Sequence, residues 1–91
     1  MGYQVIFTST SKKQLNKIDK KQRQIIERWI ANNLVGCEDP RKAPDGRTLY
    51  GTAGGWRYRV GAWRLLTIIK DNEITIEIFK IGHRRDVYER L

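Results

Sequence analysis

The chain predicts an α+β domain: two N-terminal helices packed on a small antiparallel sheet, ending in a short C-terminal tail or helix. Three observations carry that prediction. Ile25, Ile26, Trp29, Ile30 and Leu34 recur at helical spacing, with Lys21, Arg28 and Asn32 turned away. Residues 56–81 are dense in β-branched and aromatic side chains, broken at Gly61-Ala62 and Asp71-Asn72, each a natural two-residue hairpin turn. The third is size: 91 residues, 40% hydrophobic and with three tryptophans, suit one domain (1–91) with a small core.

The elements follow in order. Tyr3 to Thr8 is a short apolar and β-branched run, hence a first strand. Thr8-Ser9-Thr10-Ser11 offers a helix N-cap, with the helix continuing over Lys12 to Ile18. Asp19 caps a second helix, with Gln22 in capping-box register, and Gly36 stops it. Residues 36–46, with Pro40, Pro44 and Asp45-Gly46, form a loop. Strands are expected over Thr48-Leu49-Tyr50 (weak), Trp56 to Val60, Trp63 to Lys70 and Glu73 to Ile81, the last three as an antiparallel meander. Gly82 is expected to break the last strand, leaving Arg84 to Leu91 as a tail of one or two helical turns.

Composition narrows the function. Net charge is +8 and the pI is about 10.0, which favours acidic partners, nucleic acid before anionic membrane or an acidic protein. One cysteine, Cys37, excludes an internal disulfide framework, and a single histidine argues against a Cys/His zinc site. No signal peptide or membrane span is visible, so the chain reads as soluble and cytoplasmic. No nucleotide-binding glycine pattern, metal cluster or Ser/His/Asp ordering is present, and no cofactor is expected. Seven basic residues lie between Ser11 and Asn33 against two acids, which a solvated helix face explains as well as a binding surface. The three arginines from Trp56 to Ile69 have no acid among them.

Strand alternation sorts those arginines. Trp56, Tyr58 and Val60 share one face, and Arg57 and Arg59 the other. With the first face under the helices, both guanidinium groups emerge on the open side, and Arg64 stands beside them across the hairpin. Trp29 is expected in the core, and Trp56 and Trp63 in the core or at the sheet edge.

The strand–helix–helix–meander order, the run Trp56-Arg57-Tyr58-Arg59-Val60-Gly61-Ala62-Trp63-Arg64 and the ending Ile81-Gly82-His83-Arg84-Arg85-Asp86-Val87-Tyr88 together resemble the RelE/ParE superfamily of bacterial toxins. The likeness spans nearly the whole chain; its specific parts are those two runs. The His/Arg…Tyr ending is similar to the mRNA-cutting branch (RelE, YoeB, HigB-like) more than to the ParE-like gyrase poisons. The resemblance implies the toxin of a type II toxin–antitoxin system, a metal-independent endoribonuclease that acts in the A site of the bacterial 70S ribosome. There the mRNA 2′-hydroxyl attacks the adjacent phosphate, giving a 2′,3′-cyclic phosphate and a 5′-hydroxyl. It also implies a neutralising antitoxin and, through that complex, contact with operator DNA.

Such a reaction needs a base, positive charge on the phosphate and an acid for the leaving oxygen. Arg57 and Arg59 stand where RelE carries lysines; arginine orients and stabilises phosphate but abstracts no proton near neutral pH. Arg64 matches the family's phosphate-clamping arginine, against the plainer alternative of a surface salt bridge to Glu73 or Glu77. Arg84 matches a second phosphate-binding arginine, and Arg85 is read as an rRNA contact. His83 is a candidate base, acid or hydrogen-bond donor. Tyr88 corresponds to the tail tyrosine, moving a proton or stacking on a base, against simple packing of the tail. Inhibition of gyrase and non-catalytic nucleic-acid binding remain the alternatives.

Overall fold

Thr8 opens the first helix as the sequence predicts: its hydroxyl oxygen accepts the Ser11 N–H at 3.1 Å. The computed structural model describes residues 2–88. In chain order these hold β1 (Gln4–Phe7), α1 (Ser9–Lys17), α2 (Lys20–Asn33), a 3-10 turn (Pro40–Lys42), β2 (Gly46–Thr48), β3 (Gly55–Val60), β4 (Trp63–Lys70), a second 3-10 turn (Asp71–Glu73) and β5 (Thr75–His83). Residues 89–91, the far end of the expected tail, lie outside the described residues.

The architecture is α+β, two helices on a five-stranded mixed sheet of order β1-β5-β4-β3-β2. The meander β3-β4-β5 and the β2-β3 pair are antiparallel, and β1 joins parallel to β5. A parallel neighbour needs a long crossover, and here the two helices and the meander supply it. The β3–β4 hairpin closes at Gly61-Ala62, Val60 pairing with Trp63 and Gly61 holding φ +60°. The β4–β5 connection departs from the expected two-residue turn. Asp71–Glu73 forms a 3-10 turn and Ile74 takes the left-handed conformation, so β5 starts at Thr75.

The helices cover one face of the sheet. Ile26, Ile30 and Leu34 of the α2 region and Leu15 and Ile18 from α1 pack with Tyr58, Val60, Leu65, Ile76, Ile78 and Ile81. Trp29, Trp56 and Trp63 flank that core, and Trp29 lies against Tyr58 with ring centroids 5.3 Å apart. Ile25, expected in the apolar stripe, is instead 48% exposed, because the contact face of α2 is narrower than the stripe. Asp19 caps α2 through the Gln22 N–H, whereas the Gln22 side chain turns to the sheet and accepts the Trp63 indole N–H at 3.3 Å.

A second, smaller cluster lies on the other face: Leu49, Leu66 and Val87, with Phe79 beside them. It explains two boundary differences. Leu49 turns away to join it, so the weak strand is Gly46–Thr48 rather than 48–50. The register slips between Leu66 and Thr67, which pair with Lys80 and Ile78, and Phe79 becomes the extra residue of a bulge. Gly82 does not end β5. It pairs with Arg64 inside the strand, and its missing side chain leaves room for Val87, whose Cβ would lie 3.2 Å from a Cβ at Gly82. The tail therefore folds back across the open face, its turn closed by the Asp86 and Val87 N–H groups on the His83 carbonyl.

Candidate functional site

On the open face lies a cleft of about 800 Å³ lined by Asp45, Gly46, Arg47, Arg57, Tyr58, Arg59, Arg64, Arg84, Arg85 and Tyr88. Four of the cations arrive there by strand geometry. Arg57 and Arg59 point opposite to the buried Tyr58. Arg64 pairs directly with Arg59, and Arg47 of β2 pairs directly with Arg57. Like charges placed opposite one another across a sheet are unfavourable, and two such pairs on one face concentrate positive charge that an anion would relieve. Arg84 and Arg85 come from the tail turn, which the Arg84 N–H fastens to the Ala62 carbonyl of the hairpin at 2.8 Å.

Among the described residues the lining holds six arginines against one carboxylate. Asp45 meets Arg59 at 3.3 Å, a pair whose side chains are 49% and 62% exposed and which carries little stability. Arg64 makes no bridge to Glu73 or Glu77: it donates to the Gly61 and Trp63 carbonyls at 2.9 and 3.0 Å, while Glu77 pairs with Lys70. Those carbonyls brace one edge of its guanidinium. Arg57 donates through Nη1 to the Tyr88 hydroxyl at 3.0 Å, and its guanidinium carbon lies 5.6 Å from the Tyr88 ring centroid. Its Nε, by contrast, is buried and has no hydrogen-bond partner. An orphaned donor beneath a cationic cleft is costly unless an incoming acceptor meets it.

The structure thus brings Arg57, Arg59, Arg64, Arg84 and Tyr88 together, with Arg85 at the rim. It does not bring His83 with them. Alternation after Gly82 turns His83 to the helix side, where it pairs with Trp63 and meets that indole edge-on, centroids 5.7 Å apart. Its Nδ1 accepts the Arg85 N–H at 3.3 Å, so the ring supports the turn that carries the tail cations. Arg47 escaped sequence reading, because a three-residue edge strand has no pattern of its own; only the β2–β3 register shows where it points. Tyr58 lines the cleft floor, but its hydroxyl donates to the Pro40 carbonyl at 2.6 Å and burial pushes its pKa well up. Among the described residues, no group of three or more His, Cys, Asp or Glu side chains is gathered to hold a metal ion, and no helix is long and apolar enough to cross a membrane.

Comparison with known proteins agrees with this architecture. Residues 5–88 match a family model described as the ParE toxin of a type II toxin–antitoxin system. The chain is 32% identical over 92 residues to Toxin RelG of Mycobacterium tuberculosis, covering 99% of this chain and 100% of that one. The crystal structure of the RelBE2 toxin–antitoxin complex of Mycobacterium tuberculosis matches with a TM-score of 0.73 and 27% identity, over 92% of this chain and 100% of that one. The intact RelBE toxin–antitoxin complex of E. coli matches with a TM-score of 0.73 over 90% and 96% of the two chains; at 18% identity it speaks for the fold alone. The chain belongs to the RelE/ParE family, and is a toxin of the type II toxin–antitoxin class.

Proposed function

We propose that the protein is a ribosome-dependent endoribonuclease that cleaves mRNA in the A site, by 2′-hydroxyl attack to a 2′,3′-cyclic phosphate, and so stops translation. The observation that carries this reading is the Arg57–Tyr88 contact within the arginine cleft, with the Arg57 Nε left unpaired beneath it. Three guanidinium groups from two paired strands and a fourth from the tail surround a space large enough for a nucleotide with its phosphates. Fixed cations of this kind stabilise a pentavalent phosphate, whose charge exceeds that of the ground state. In this reading Arg57, Arg59, Arg64 and Arg84 hold the phosphate. Tyr88 stacks on a base or protonates the leaving 5′-oxygen, and His83 acts at one remove, through the turn. The similar chain solved as the RelBE2 toxin–antitoxin complex supports a cognate antitoxin as the protein partner; operator DNA, reached through that complex, is part of the same reading.

The test is a cleavage assay on mRNA in programmed bacterial ribosomes, with naked mRNA as control. Cuts confined to the A-site codon and seen only with ribosomes are expected. An intact transcript in the presence of folded protein overturns the reading. The match to a ParE toxin model favours a second reading, inhibition of DNA gyrase without cleavage. A supercoiling assay run in parallel separates the two.

A further inference from the structure

We infer that the Asp45 carboxylate is the proton acceptor for the attacking 2′-hydroxyl, an assignment that rests on the cleavage reading above. In-line attack requires a group that takes that proton as the new P–O bond forms. Inside the cleft the choice is narrow. Guanidinium groups offer donors only. The Tyr58 hydroxyl is committed to the Pro40 carbonyl. The Tyr88 hydroxyl accepts from Arg57, which suits it to giving up its own proton rather than taking another. His83 does not line the cleft. Among the described residues, Asp45 is the one carboxylate that does.

Asp45 is also held in place with some care. It adopts the left-handed backbone region at φ +60°, which aspartate and asparagine accept more readily than other residues with a side chain. From there its carbonyl accepts the Arg59 N–H at 3.1 Å and its carboxylate accepts from Arg59 Nη2 at 3.3 Å. Gly46 follows because a Cβ there would run into the Trp56 indole. The result is a half-exposed carboxylate that rests on the Arg59 guanidinium in the cleft lining. An arriving phosphate takes over the Arg59 guanidinium and releases the carboxylate beside the sugar.

The step balances within the cleft. Asp45 takes the 2′-hydroxyl proton, the 2′-oxygen bonds to phosphorus, and the P–O5′ bond breaks. The departing O5′ takes the Tyr88 proton. Water then carries the proton from Asp45 back to Tyr88, leaving a cyclic phosphate, a 5′-hydroxyl and an unchanged protein.

The experiment compares wild type, Asp45→Asn and Asp45→Gly in single-turnover cleavage on programmed ribosomes, alongside ribosome affinity and Tm. Asparagine tolerates the left-handed backbone and keeps an oxygen facing Arg59; glycine relaxes the backbone and opens a space. Both variants are expected to cleave about 100-fold more slowly or worse, with ribosome affinity unchanged or tighter. Added formate is expected to restore Asp45→Gly by about tenfold or more, and not Asp45→Asn. Rates within about threefold of wild type overturn the assignment. So does a loss accompanied by weaker binding or a collapsed Tm, or a loss in Asp45→Gly that formate does not rescue, since these mark a structural or Arg59-positioning role. A wild type that cuts nothing on the ribosome removes the cleavage reading itself, and this assignment with it.

Discussion

Arg64 is the residue whose loss is most informative, because its guanidinium faces the cleft and contributes little to folding. Its contacts are two carbonyls of its own hairpin, so Arg64→Ala costs stability of about 1 kcal/mol. Under the cleavage reading the same change removes a cation from the transition state and lowers single-turnover cleavage by about 100-fold or more. Paired Tm and rate measurements check both halves; retained cleavage removes Arg64 from the site. Tyr88→Phe keeps the ring that Arg57 overlies and deletes the hydroxyl. A loss of about 100-fold in the chemical step, with ribosome affinity preserved, is the expected result. His83→Gln should behave differently. The imidazole lies against Trp63 and holds the Arg85 N–H, away from the cleft, so a loss below about tenfold is expected. A loss matching that of Tyr88→Phe would put His83 in the chemistry.

The element that completes the site is the tail turn, which adds Arg84, Arg85 and Tyr88 to the strand arginines. Val87 is 1% exposed and packs on Leu49 and Leu66, and that contact sets the Arg84 to Tyr88 segment over the arginine face. Val87→Ala is expected to cost about 1–3 kcal/mol and to weaken cleavage by freeing the tail. Gly82→Ala tests the same docking from below, since the added Cβ would meet Val87 at 3.2 Å. Chemical denaturation together with cleavage rates measures the coupling. If both variants lose stability and keep full activity, the tail is not what positions Tyr88. A separate tie joins the start of the chain to the two 3-10 turns: the Arg41 guanidinium donates to both Asp71 oxygens at 3.1 and 3.0 Å, and the Tyr3 hydroxyl donates to Asp71 at 2.7 Å.

For the whole molecule, two dependences on solution conditions follow. The Arg41 guanidinium, and then the Tyr3 hydroxyl, hold the Asp71 carboxyl below its ordinary pKa. A group depressed on folding adds stability above its unfolded pKa and loses it as pH falls through the folded one. Wild type is therefore expected to exceed Asp71→Asn in Tm near neutrality by a small margin, the pair being largely exposed. The margin should begin to shrink at about pH 4 and vanish once pH falls below the folded pKa. Salt acts on the other side of the molecule. RNA affinity is expected to fall linearly in log salt, and Arg47→Ala to flatten that slope by about 0.7 if Arg47 contacts one phosphate. An unchanged slope would place Arg47 outside the phosphate path. The exposed lysines of the helical pole (Lys12, Lys13, Lys17, Lys20 and Lys21) form no ion pair among the described residues, and add charge on the opposite face.

Local rules were enough for much of this protein. Helix caps at Thr8 and Asp19, the Gly61-Ala62 hairpin and the alternation of Arg57 and Arg59 against Tyr58 all depend on neighbours within a few residues, which the sequence displays directly. What depends on distant neighbours was not legible. The parallel seat of β1 beside β5, the bulge at Phe79 and the approach of Val87 to Gly82 are set by contacts between segments far apart in the chain. The same holds at the cleft. Sequence spacing put His83 beside Arg84, left Arg47 unremarked and read Asp45 only as a loop residue. Tertiary pairing turned His83 to the helix side and drew Arg47 and Asp45 to the arginines, because a strand's alternation assigns faces and only its partners decide what each face meets.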